Sequence, residues 1–235
     1  MPASSATLAA VTVVLVHGAW ADGSSWNKVI SRLQHEGIEV VAVQNPLTSL
    51  ADDVAAAHRA IAAAPGPVVL VGHSWGGAVI TQAGEDPKVK ALVYVAAFAP
   101  PVGMSVNDMG KGAPPSPGAK EVVFNEGYLT ISKKGIVEDF AQDLPKSESE
   151  VLAATQGPTA AKAFDEKITY AAWAHKPSWY LVSTNDRMID PNAERAMARA
   201  MKAHTIEIAA SHVSMLSNPD AVTSAIEAAI QIAAK

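Results

Sequence analysis

Short apolar runs and alanine-rich amphipathic segments alternate along most of the chain. The runs Thr12–Val16, Glu39–Val43, Pro67–Val71, Ala91–Val95, Trp179–Ser183 and Thr205–Ile208 are rich in β-branched residues and nearly free of alternation. Strands covered on both faces read this way, because neither face needs polar residues. Between them, 25–36, 51–63, 75–83, 192–201 and 220–233 space their apolar residues at helical period. Asp190 before Pro191 and Asn218 before Pro219 mark helix starts, since proline tolerates the first helical position and the preceding side chain can cap it. Alternation of this kind predicts βαβ units and a mainly parallel six-stranded sheet with helices on both faces.

The rhythm fails between about Phe98 and Lys176. This stretch opens with "APPVG" and passes through "GKGAPPSPGAK", both loops by composition. "EVVFNEGYLTIS" reads as two short strands around a glycine turn, and "IVEDFAQDL", "SESEVLAATQG" and "TAAKAFDEK" as short helices. The chain therefore divides into a core, 1–97 and 177–235, and an insertion, 98–176, between the fourth and fifth strands. An insertion there lies over the carboxyl edge of the sheet, where open α/β sheets bind ligands.

Composition narrows the function. The 235 residues are 49% hydrophobic and 17% charged, which fits one domain with a large core. The net charge of −5 comes without a Lys/Arg run, so no nucleic-acid partner is expected. No apolar run reaches the length of a membrane span. Without cysteine there is no disulfide, thiolate nucleophile or cysteine-bound metal. No His/Asp/Glu cluster has ligand spacing, so no metal is expected. The N-terminal "MPASSATLAA" has no signal-peptide pattern; it fits a cytoplasmic start, or an exported chain whose signal has been removed.

Chemistry enters at "VVLVGHSWGGAVI". Gly-X-Ser-X-Gly is too short to carry weight alone, but here a buried strand precedes it and a helix follows. A sharp strand-to-helix turn exposes the serine, and its glycines make room. Ser74 is thus the candidate nucleophile. Of seven histidines, His212 in "IEIAASHVSML" follows the last strand, where a general base should stand. His35, His58, His175 and His204 fall in helices or loops, His17 ends the first strand, and His73 points away around the turn. The orienting acid should follow an earlier strand. "WYLVSTNDRMIDP" offers Asp186, with Asp190 as competitor; Asp190 reads as a helix cap. "VLVHGAWADGSSW" supplies a close-approach glycine, Gly18, and the Ala19 N–H as one oxyanion donor, with the Trp75 N–H as the other.

With these motifs the chain resembles the α/β-hydrolase superfamily over nearly its whole length. "VLVHGAWADGSSW", "VGHSWGGAVI", "STNDRMI" and "ASHVSML" are similar to a group of bacterial α/β-fold hydrolases related to plant methyl esterases and hydroxynitrile lyases, including the salicylate-binding methyl esterase. The resemblance implies Ser74 as nucleophile, Asp186 as acid, His212 as base, Ala19 and Trp75 as oxyanion hole, a small cap, and no cofactor. Hydroxynitrile lyases of the group carry lysine after the catalytic histidine and threonine two residues before the position of Trp20. Here these positions are Val213 and Gly18, which favours hydrolysis. A serine nucleophile argues against the dehalogenases and epoxide hydrolases of this fold, which use aspartate.

The expected activity is a serine carboxylesterase acting on small to medium apolar esters, with a small-molecule ester as its partner and the oligomeric state left open. A slow-turnover ligand-binding protein and a cofactor-free lyase or perhydrolase use the same residues and stand as alternatives. Pocket candidates are Trp20, Trp75, Met188 and Val213 from the core, and Phe124, Tyr128, Phe140, Leu144 and Trp173 from the insertion, where plain packing is at least an equal use for an aromatic ring.

Overall fold

A computed structural model describes residues 11–234. The small polar N-terminal stretch lies outside the described residues, apart from which every apolar run becomes a strand. β1 (Thr12–Val16), β2 (Glu39–Val43), β3 (Val68–His73), β4 (Val89–Val95), β8 (Ser178–Ser183) and β9 (His204–Ile208) form one six-stranded sheet. All its pairs are parallel, in the order β2-β1-β3-β4-β8-β9. β1 lies between β2 and β3, so the chain reverses its direction of travel across the sheet there. Such a switch point opens a crevice at the carboxyl ends of the strands.

Side chains alternate across the sheet, and each face has its own core. Val14, Val16, Leu70, Leu92, Tyr94 and Tyr180 pack under α2 (Leu50–Ala63), α3 (Trp75–Ala83) and α5 (Pro191–Met201). Val13, Leu15, Val69, Val71, Val93 and Leu181 pack under α1 (Asn27–His35) and α6 (Pro219–Ala233). Both faces being covered explains the unbroken apolar runs of β1, β3, β4 and β8, whose residues are almost all buried. The edge strands depart from the expectation: β2 is mostly half-buried and β9 mostly exposed. An edge strand meets a neighbour on one side only, and residues such as Glu39 and Glu207 keep it soluble.

Between β4 and β8 the elements are short. β5 (Val122–Asn125), β6 (Tyr128–Ile131) and β7 (Thr159–Ala160) make a three-stranded antiparallel sheet. The β5–β6 turn has two residues, Glu126 at φ 48° and Gly127 at φ 88°, the positive pair that matches strand twist in a tight hairpin. "IVEDFAQDL" holds a short π-helical turn, Ile136–Phe140, and "SESEVLAATQG" the helix α4 (Lys146–Thr155). "TAAKAFDEK" tightens to a 3₁₀ turn at Ala161–Asp165. The one-turn helix Val106–Met109 and β7 had no counterpart in the sequence reading.

Candidate active site

Ser74 lies between the last residue of β3 and the first of α3, at φ 50° and ψ −120°. L-residues rarely adopt this conformation; holding it costs on the order of 1–3 kcal/mol. The surroundings impose it. Ser74 N–H donates to the Val95 carbonyl at 3.3 Å, and the Ser74 carbonyl accepts from Gly77 N–H at 3.0 Å and Phe98 N–H at 3.1 Å. Glycines let the backbones close in: a Cβ at Gly72 would stand 2.5 Å from the Gly76 carbonyl oxygen, and one at Gly76 2.4 Å from that of Val16. Trp75 N–H opens α3 and has no acceptor within the helix.

The turn after β8 carries Asp186, whose N–H is tied to the Ser183 carbonyl at 3.0 Å. Its Oδ1 accepts from Met188 N–H at 2.6 Å and Ile189 N–H at 3.0 Å. Its Oδ2 lies 2.6 Å from His212 Nδ1, with both side chains buried. An ionised carboxylate only accepts, so Nδ1 carries the proton and Nε2 presents a lone pair. That Nε2 is buried without a hydrogen-bond partner. His212 and Ser74 line one cavity of about 420 Å³. Asp190 is elsewhere: it caps α5, its Oδ1 accepting from Asn192 N–H at 2.8 Å.

Three buried groups brace this arrangement. His73 Nε2 lies 2.9 Å from the His212 carbonyl, and its ring centroid 4.7 Å from that of His212. Its ring is turned from the cavity but supports the loop of His212; burial holds it well below the usual imidazole range, so it is neutral. His17 Nε2 accepts from Asn45 N–H at 2.9 Å while Nδ1 faces the Gly18 carbonyl at 2.8 Å, fixing the loop of Ala19. Glu194 is fully buried on α5, with Oε2 accepting from Ser183 N–H at 3.0 Å. Burial first, and then the neighbouring Asp186, push its carboxyl up to about 10. Sequence reasoning missed it. The readable signal was a glutamate in phase with Met197, Ala198 and Met201, on the apolar stripe of α5.

The cavity is lined by Trp20 and Met188 together with Phe98, Val106, Leu129 and Phe164. Ala19 lines it too; the Trp75 ring is buried behind, tilted at 49° to the Phe164 ring with centroids 5.0 Å apart, and donates through Nε1 to Asp53 Oδ2 at 2.7 Å. The Asp53 carboxyl is raised to about 6, chiefly by burial.

The other pocket expectations need correction. Phe124 and Tyr128 are 66% and 43% exposed, since the tight turn carries their strand ends outward. Val213 is buried in the core on the α1/α6 side of the sheet, because the chain turns inward after His212. Phe140 packs edge-on against the His212 ring at 5.1 Å and supports it from behind. Leu144 packs against that same core. Trp173 packs on the opposite core, with Nε1 donating to the Pro100 carbonyl at 3.3 Å. Phe98 was missed, although it follows β4 at the carboxyl edge and its position was readable.

Among the described residues, no group of three or more His, Cys, Asp or Glu is placed to hold a metal ion. Among the same residues no helix is long and apolar enough to cross a membrane.

Comparison with known proteins gives one consistent answer. The model of the alpha/beta hydrolase family matches residues 13–225. The alpha/beta hydrolase nvfD of Aspergillus novofumigatus is 28% identical, over 89% of this chain and 92% of its own. A pyrethroid hydrolase from Sphingobium faniae JZ-2 superposes with a TM-score of 0.82 at 20% identity, covering 94% of this chain and 97% of its own. An extracellular alpha/beta-hydrolase from a Paenibacillus species, described as sharing homology with tobacco salicylic acid binding protein 2, gives 0.78 at 22%, covering 93% and 98%. At these identities the structural likeness concerns the fold.

Proposed function

The chain belongs to the alpha/beta hydrolase family, and on that premise we propose that it is a serine carboxylesterase for small to medium apolar esters. The observation that carries the reading is the Asp186–His212 pair at 2.6 Å, which leaves the buried Nε2 without a partner in a histidine that lines the same cavity as Ser74. His212 Nε2 takes the Ser74 proton as Oγ bonds to the ester carbonyl carbon. The negative charge that develops on the carbonyl oxygen rests on the Ala19 and Trp75 N–H groups. Collapse of the tetrahedral intermediate breaks the bond to the alcohol oxygen, which receives the proton from His212. Water, deprotonated by the same nitrogen, then releases the acid and restores Ser74.

Asp186 holds the imidazole in the required tautomer and stabilises the imidazolium formed on the way. Residues 98–176 serve as the cap over the cavity, on a core of 1–97 and 177–235. The lining favours neutral esters: among the described residues it includes no lysine, arginine, aspartate or glutamate. Hydrolysis needs no cofactor or metal in this scheme.

A chromogenic ester panel on wild type and Ser74→Ala tests the reading. The variant is expected to lose turnover by about 10³-fold or more while keeping its fold. Ester hydrolysis by Ser74→Ala at a comparable rate would end it.

A further inference from the structure

A second cavity, of about 440 Å³, adjoins the first. The two share Phe98, Gly110, Ala119, Met188 and Ile189 as a common wall. On its far side the second cavity is lined by Pro114 and Pro115 of the loop before β5 and by Ala193 and Met197 of α5. Met188 is the wall residue with an unbranched, freely rotating type of side chain. Its backbone is fixed: its N–H donates to Asp186 at 2.6 Å and its carbonyl accepts from Ser116 Oγ at 2.7 Å. Its side chain lies on a bare glycine, since a Cβ at Gly118 would fall 2.1 Å from Met188 Sδ. An unbranched thioether with three rotatable bonds can swing aside where a branched residue could not.

The lining of the second cavity also restricts what enters it. Among the described residues, the one charged residue lining it is Asp190, whose carboxylate is occupied in capping α5. Among the described residues, the lining includes no lysine or arginine to receive an anionic group. Taken alone, the first cavity lies at the small end of the range for ligand pockets, about 300–1,000 Å³.

We propose that the second cavity is a substrate subsite: one arm of the ester is extended, neutral and apolar, and passes Met188 to lie between the Pro114–Pro115 loop and α5. Within the small to medium apolar esters, the substrate class is thus the medium-sized end, an ester whose one arm is an extended hydrocarbon or aromatic group. This rests on the esterase reading above and deepens it.

The test uses p-nitrophenyl esters from acetate to dodecanoate, and acetates of graded alcohols, to assign the arm to the acyl or the alcohol side. In one of the two series kcat/KM should climb with length, by up to about fourfold per methylene while the arm is being buried. Ala193→Phe and Ala196→Phe place a ring at the second cavity from exposed positions of α5, away from the Ser74 cavity. Each is expected to cut kcat/KM for the long esters at least tenfold and leave the shortest within twofold. Met188→Ala should raise kcat/KM for bulky arms relative to short ones. If the long esters are unaffected by both ring substitutions, or fall only in step with the short ones, the subsite is refuted while the serine mechanism stands. Loss of the serine mechanism itself is read separately, from Ser74→Ala.

Discussion

At the residue scale, the two aspartates after β8 divide their work by backbone geometry. Asp186 Oδ1 is held by two N–H groups, which aims Oδ2 at His212, whereas Asp190 spends its carboxylate on the first turn of α5. Asp186→Asn should therefore lower kcat by about 10³–10⁴, because an amide facing Nδ1 stabilises the wrong tautomer. Asp190→Asn should leave kcat within a few-fold, since asparagine caps as well as aspartate. Both are measured with one good ester, and a large loss in Asp190→Asn would reassign the acid.

Glu194 makes a separate prediction about pH. Its carboxyl is raised from 4.5 to about 10, so the folded chain holds a proton that the unfolded chain releases across that interval. The stability it contributes is complete below about pH 4.5 and is lost progressively as pH rises toward about 10. Glu194→Gln keeps the shape and the acceptor for Ser183 N–H but does not titrate. Its melting temperature relative to wild type should thus rise between pH 5 and 9, by about 2 °C or more. A difference that stays constant over that range would mean Glu194 is not protonated in the fold.

At the element scale, two glycines show different reasons for being glycine. A Cβ at Gly127 would meet nothing within 4 Å, but the residue sits at φ 88°, so its constraint is purely conformational. Gly127→Ala should cost about 1–2 kcal/mol and leave ester turnover within a few-fold. Gly76 is a close approach: its Cβ would meet the Val16 and His17 carbonyl oxygens at 2.4 and 2.8 Å. Gly76→Ala must push α3 off β1 and displace Ser74, so both melting temperature and activity should fall. Retention of full activity in Gly76→Ala would show that the strand-to-helix corner tolerates more than this packing allows.

The same distinction sets what could be read from the sequence. β1, β3, β4 and β8 were legible because burial on both faces leaves an uninterrupted apolar run. Ser74, Asp186 and His212 were legible as candidates because each follows a strand at one sheet edge. Between 98 and 176, structure is set by packing on residues far away in sequence. β7 is two residues long and exists because Leu129 pairs with Thr159 and Leu47 takes the Ala160 N–H. No local pattern announces that. Aromatic residues there were read as pocket walls, yet Phe140 and Trp173 pack against core clusters and Phe124 faces solvent. Aromatic identity alone does not say which surface a ring will cover.

At the scale of the whole molecule, residues 98–176 are bound to every loop that carries a candidate catalytic group. Trp20 Nε1 donates to the Leu129 carbonyl at 2.9 Å, beside Ala19. Gln142 Nε2 donates to the Asn185 carbonyl at 2.7 Å, and Arg187 pairs with Asp139 at 2.5 Å, on either side of Asp186. Ser211 N–H donates to Asp143 Oδ2 at 2.7 Å, next to His212. The insertion also contributes to both cores: Ile131, Ile136 and Phe140 join the α1/α6 face, and Phe164, Ile168 and Ala172 the other. A segment that shares its hydrophobic residues with the sheet has no separate core to keep it folded when the sheet opens. Unfolding should therefore be a single cooperative step despite the length of the chain, with calorimetric and van't Hoff enthalpies equal. Tryptophan fluorescence reports on both parts, since Trp173 belongs to the insertion and Trp26 and Trp179 to the α1/α6 side of the sheet. Its midpoint in urea should coincide with that of far-ultraviolet circular dichroism, and ester turnover should vanish over the same interval. An earlier loss of fluorescence and activity, with the sheet signal intact, would instead make the insertion an independent unit that opens on its own.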